Sequence, residues 1–63
     1  GVRLDPGNPL ARLYLGNALL GSGRVDEAIA AYQEVLRLRP DEPGALQNLR
    51  QAQAIKRSGP RRP

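Results

Sequence analysis

The sequence predicts an all-α fold: an antiparallel helix hairpin followed by a third, terminal helix. Three observations predict it. Apolar residues recur at helical spacing through most of the chain. Pro and Gly cluster where those patterns stop. A stretch near the N-terminus recurs later in the chain with its Arg, Leu and prolines in place.

Taken in order, Val2-Arg3-Leu4 before Asp5-Pro6-Gly7 reads as the last turn of a helix that Pro and Gly stop. Asn8-Pro9 opens the first full helix. Asn accepts a bond from a free first-turn N–H, and Pro fits the first helical position, where its missing N–H costs nothing. This helix is expected to run to about Leu20 and to stop at Gly21-Ser22-Gly23. Its apolar residues (Leu10, Ala11, Leu13, Tyr14, Leu15, Ala18, Leu19 and Leu20) reach nearly all the way round, so cover on more than one side is expected. The second helix is placed at about Val25 to Leu38. There Val25, Ala28, Ile29, Tyr32, Val35 and Leu36 make one face, with Asp26 and Glu27 in the first turn and Arg37 and Arg39 at the last. Pro40 ends it. The third helix opens at Pro43 and is expected to reach about Lys56, with a thinner stripe of Ala45, Leu46, Leu49, Ala52 and Ile55 that suits a capping helix.

Composition limits the function classes. A chain of 63 residues holds one small domain. It contains neither Cys nor His, so disulfides and the usual zinc ligands are excluded. Regular helix packing, self-association or membership of a longer array must supply the stability. No apolar run approaches the roughly 20 residues that span a bilayer. No membrane contact is expected, and the chain as given is expected to be soluble. The net charge of +4 comes from 10 basic and 6 acidic residues. Lys56, Arg57, Arg61 and Arg62 account for the excess, so the basic character belongs to the C-terminal tail.

Val2-Arg3-Leu4-Asp5-Pro6-Gly7-Asn8-Pro9 aligns with Leu36-Arg37-Leu38-Arg39-Pro40-Asp41-Glu42-Pro43 at an offset of 34 residues. With that period, and with Leu15-Gly16, Ala28, Tyr32 and Pro40 at the positions of a Leu-Gly, Ala, Phe and Pro pattern, the chain resembles the tetratricopeptide repeat (TPR) family. Arg12 stands where the pattern has Trp and Leu19 where it has Tyr. Gly23 and the run Asp26-Glu27-Ala28-Ile29 also look like the family. The resemblance implies a right-handed α-solenoid fragment: residues 1–8 as the end of a preceding repeat, 9–42 as one complete repeat, 43–57 as a terminal helix and 58–63 as a disordered basic tail. Small residues at Gly16 and Ala28 fit a close approach of two helix axes, with Tyr32 and Leu19 filling the space beside it.

Catalysis needs a nucleophile beside a base, paired carboxylates in a cleft, or a metal. The chain has no His, Cys or Thr, and Ser22 and Ser58 fall in a turn and at the tail. Asp26 and Glu27 are neighbours on a helix start and point in different directions. Gly21-Ser22-Gly23 joins two helices, so it is no phosphate cradle of the strand-to-helix kind. No enzyme activity and no cofactor are expected.

Binding to a protein or peptide is the expected function. The resemblance implies a concave groove lined by first helices that takes an extended peptide or a partner helix. On the first helix the groove side carries Leu10, Leu13, Asn17 and Leu20; on the third it carries Gly44, Gln47, Asn48 and Gln51. A carboxamide both donates and accepts, so Asn17 and Asn48 suit a peptide's backbone amide. Leu13 occupies a position where a clamp for a C-terminal carboxylate would carry a basic residue. Leu10, Leu13 and Leu20 are expected to form an exposed apolar patch, and Tyr14 and Tyr32 to be buried. About one and a half repeats fall short of the roughly three that stacking needs for stability, so a homo-oligomer or a longer repeat array is expected. The alternative is a basic accessory protein that touches nucleic acid or an acidic surface through Lys56, Arg57, Arg61 and Arg62.

Overall fold

A computed structural model describes residues 8–58 of the chain, and those residues form three α-helices: α1 (Pro9–Gly21), α2 (Val25–Leu38) and α3 (Pro43–Ser58). The expected helix end at Val2–Gly7 and the basic residues Arg61 and Arg62 lie outside the described residues.

Local chemistry sets the ends of each helix. Asn8 has extended backbone, and its Oδ1 accepts from the Leu10 N–H at 2.9 Å, with Pro9 opening the first turn. The turn after α1 closes the last carbonyls: Ser22 N–H donates to Ala18 O at 3.0 Å and Arg24 N–H to Leu19 O at 2.9 Å. Gly23 makes this turn with φ of 84°, a left-handed conformation that costs a β-carbon-bearing residue about 1–2 kcal/mol. In α2, Asp26 and Glu27 sit at the positive end of the helix dipole and Arg37 at the negative end. Arg39, expected in the last turn, is the residue just beyond it, and its N–H closes onto Val35 O at 2.7 Å. Ser58, expected to begin the tail, is the last residue of α3, where its hydroxyl donates to Ala54 O at 3.0 Å.

The core gathers Leu13 from α1, Ala28, Tyr32 and Val35 from α2, and Ala45 and Ala52 from α3; Leu19, Leu20, Val25, Ile29, Leu36 and Leu49 pack around them. Tyr32 and Val35 are fully buried, and each such side chain contributes about 1.5–3 kcal/mol relative to exposure. The helix at the centre is α2, which packs on α1 with one flank and on α3 with the other, while α1 and α3 barely meet. The all-round apolar pattern of α1 leads one to expect the middle position for that helix instead. Among the described residues α1 is covered on one side only, and its outward residues Leu10, Tyr14 and Leu15 stand about half exposed.

The tight contact expected along Gly16 and Ala28 is a contact between Gly16 and an aromatic ring. A Cβ on Gly16 would come within 2.6 Å of Tyr32 Cε1. Ala28, fully buried, lies one turn before Tyr32 on the same face of α2. Across the other seam, Lys56 Nζ near the end of α3 meets Asp26 Oδ1 at the start of α2 at 2.7 Å. Both side chains are well exposed, so this pair adds only about 0.2–1 kcal/mol.

Candidate functional site

α1 and α3 enter side by side onto the same helix, α2, and a polar cluster forms where their edges meet. Asn17 on α1 and Asn48 on α3 are 31 residues apart, and Asn48 Nδ2 donates to Asn17 Oδ1 at 2.8 Å. From α2 the Tyr32 hydroxyl donates to the same Asn17 Oδ1 at 2.7 Å. Three helices therefore converge on one oxygen. Burial pushes the Tyr32 phenol above its ordinary pKa. Asn17 itself is exposed and Asn48 half-buried, so both amides have a solvent side.

The apolar part of the predicted groove needs correction. Leu13 is not on an open face. It is only 8% exposed and belongs to the core, with its Cδ2 lying 3.4 Å from where a Cβ on Gly44 would stand. The first turn of α3 covers it at ordinary van der Waals distance. Leu20 is half-buried and packs on the core as well. Of the three leucines only Leu10 is open, at 49%.

Tyr14, expected to be buried, is 57% exposed instead. It stands four residues after Leu10 and three before Asn17, so the three share one edge of α1. That spacing was the available signal for Tyr14. Gln51, exposed, lies three residues after Asn48 and four after Gln47 on α3, and Gln47 is exposed as well. The edge thus reads Leu10, Tyr14 and Asn17 on α1 against Asn48 and Gln51 on α3, and none of these carries a charge.

A second open face lies on the other flank of α1. Ala11, Leu15 and Ala18 stand 34 positions before Ala45, Leu49 and Ala52. On α3 this Ala-Leu-Ala stripe is the seam against α2, and both of its alanines are fully buried. On α1 the same stripe is more open among the described residues: Leu15 is 47% exposed, Ala18 is exposed and Ala11 is half-buried. Beside it a shallow groove runs between α1 and α2, with Leu15, Leu19, Ala30 and Ala31 along its floor and Arg12, Glu27 and Glu34 on its rims. Glu34 is hydrogen-bonded to Arg37, which with the nearby Arg12 charge holds its carboxyl below the usual value.

Among the described residues no group of acidic side chains could hold a metal ion. No described helix is long and apolar enough to cross a membrane.

A family model described as tetratricopeptide repeat matches residues 1–43. No curated relative and no solved structure matches the chain significantly. The matched span takes in the hairpin of α1 and α2 with its Leu15-Gly16, Ala28 and Tyr32 contacts and reaches the first residue of α3. The chain belongs to the tetratricopeptide repeat family.

Proposed function

We propose that this chain is a non-catalytic protein–protein interaction module that holds an extended peptide along the edge shared by α1 and α3. The family suggests an interaction module, and the finer reading rests on one observation: the hydrogen-bonded pair Asn17–Asn48, joined across two helices with Tyr32 behind it. An isolated surface amide is flexible and loses rotamer freedom when it binds. Here that freedom is already spent within the fold, so the pair meets a ligand preorganised. Leu10 and Tyr14 add exposed apolar surface within one turn of it. Selection from a displayed library of random twelve-residue peptides tests this. Peptides should enrich on the wild-type chain and be lost on a folded Asn17→Ala/Asn48→Ala variant. Failure to enrich, or enrichment that the double variant retains, would overturn it.

A second reading, self-association or stacking in a longer repeat array, is favoured by the Ala11-Leu15-Ala18 stripe, where Leu15 and Ala18 are exposed among the described residues and whose counterpart on α3 is a helix seam. It differs from a dimer that presses Leu10, Leu13 and Leu20 together, since Leu13 and Leu20 already pack inward. Light scattering at about 100 μM would separate the faces: Leu15→Arg should dissociate the oligomer and Leu10→Arg should not. A chain that is monomeric at that concentration would sink self-association. The tail alternative draws on Lys56, Arg57, Arg61 and Arg62, of which Lys56 also forms an exposed pair with Asp26.

A further inference from the structure

The Asn17–Asn48 pair does not present two interchangeable amides. The Asn17 carbonyl oxygen has two lone pairs, and the Tyr32 hydroxyl and Asn48 Nδ2 occupy both. What Asn17 offers outward is therefore its N–H₂ group. Asn48 has spent one N–H on Asn17, which leaves its Oδ1 as the acceptor of the pair.

Burial of Tyr32 decides this orientation over its reverse. A flipped Asn17 would set its N–H₂ against the phenol oxygen, and the hydroxyl proton would lose its acceptor. Tyr32 is 0% exposed, so no water would replace it. An unsatisfied buried donor weighs heavily against that arrangement. The ring that carries the hydroxyl is seated against Gly16, where a Cβ would stand 2.6 Å away, so the donor is held at a fixed place beside Asn17.

We propose that Tyr32 is a positioning residue that fixes the polarity of this site, so that the peptide's carbonyl is received at Asn17 Nδ2 and its backbone N–H at Asn48 Oδ1. This rests on the peptide-binding reading above. The ligand class follows from the rest of the edge. Leu10, Tyr14, Asn17, Asn48 and Gln51 are all uncharged, so an extended peptide with uncharged side chains fits it. An apolar residue near the carbonyl bound at Asn17 would rest on Tyr14 and Leu10.

The test uses the capped tripeptide acetyl-Leu-Ala-Leu-N-methylamide, read by its shifts of the Asn17 and Asn48 side-chain amide resonances. Asn17→Asp keeps an acceptor for Tyr32 and Asn48 but replaces the outward donor with an oxygen. Binding of the probe should fall at least tenfold while the backbone spectrum stays that of the folded chain. Equal or tighter binding to Asn17→Asp would mean that position 17 accepts, and would overturn the proposal. In Tyr32→Phe both orientations of Asn17 become accessible, so the competent fraction falls to about half and the apparent Kd rises about twofold. Cross-peaks between the Asn17 side-chain amide protons and the ring of residue 32, weak in wild type, should strengthen in that variant. The free wild-type chain supplies a check that needs no ligand: strong cross-peaks of this kind there would overturn the polarity. If the orientation is as stated and the probe still fails to bind, the peptide-binding reading is what fails, and the proposal fails with it as a binding polarity.

Discussion

The ring of Tyr32 lies in the space that a side chain at Gly16 would fill, with Cε1 2.6 Å and Cδ1 2.9 Å from the position of a Cβ there. Both atoms belong to a fully buried aromatic ring that cannot swing away. Gly16→Ala should therefore destabilise the chain by about 1–2 kcal/mol, because overpacking outweighs the roughly 1 kcal/mol that Ala gains over Gly in a helix. Gly21, at the end of the same helix, has open space around its Cβ position. Gly21→Ala should stabilise by about 0.4–1 kcal/mol. Urea unfolding followed by circular dichroism reads both, and two shifts of the same sign would contradict this account of Gly16.

Leu13 and Leu10 share a helix and a residue type and differ in what covers them. Leu13 sits under the first turn of α3, and Leu10 is half open. Leu13→Ala should cost about 2–4 kcal/mol, enough to unfold much of so small a domain at room temperature. Leu10→Ala should stay within about 0.5 kcal/mol. Similar midpoints for the two variants would mean that α3 does not close over Leu13.

Those leucines mark where the sequence stops being informative. The helix ends were readable because each carries its own chemistry: the Asn8 cap with Pro9, Gly23 in the left-handed turn, Pro40 and Pro43 around the second break. The sides of α1 were not. Apolar residues surround that helix, so periodicity gives no preferred face, and only the positions of α2 and α3 decide that Leu13 turns inward and Tyr14 outward. Asn17 and Asn48 were legible one at a time, as amides on helix edges. Their bond spans 31 residues and depends on how α1 and α3 meet, which no local pattern encodes. The stripe Ala11-Leu15-Ala18 was present in the repeat, but its significance needed the buried state of Ala45 and Ala52 for comparison.

Lys56 and Asp26 hold the far end of α3 against the start of α2 through an exposed pair at 2.7 Å. Solvent screens such a pair, so Lys56→Ala should lower stability by no more than about 1 kcal/mol. The difference from wild type should shrink further in about 1 M salt, where the screening length is about 3 Å. Thermal melts at low and high salt would show it, and a salt-independent loss would assign the effect to packing of the lysine stem instead.

The buried phenol should also be visible in the alkaline stability of the fold. Burial raises the Tyr32 pKa in the folded chain above that of the unfolded chain, which is about 10. A raised folded value means that the stabilising contribution is complete below the unfolded pKa. It is lost as the pH rises from there through the folded value, because the unfolded state gives up the proton first. Deprotonation would also remove the donor to Asn17 and bring a negative phenolate against that carbonyl oxygen. Between pH 9 and pH 11 the Tm of the wild-type chain should fall by more than that of Tyr32→Phe. The basic side chains and the Lys56–Asp26 pair are common to both and cancel in the comparison. Tyr32→Phe should start lower at pH 8, by about 0.5–1.5 kcal/mol for the lost hydrogen bond, so the two stability curves should converge as the pH rises. Parallel curves over that range would mean that the hydroxyl reaches water, and the cluster at Asn17 would lose its buried anchor.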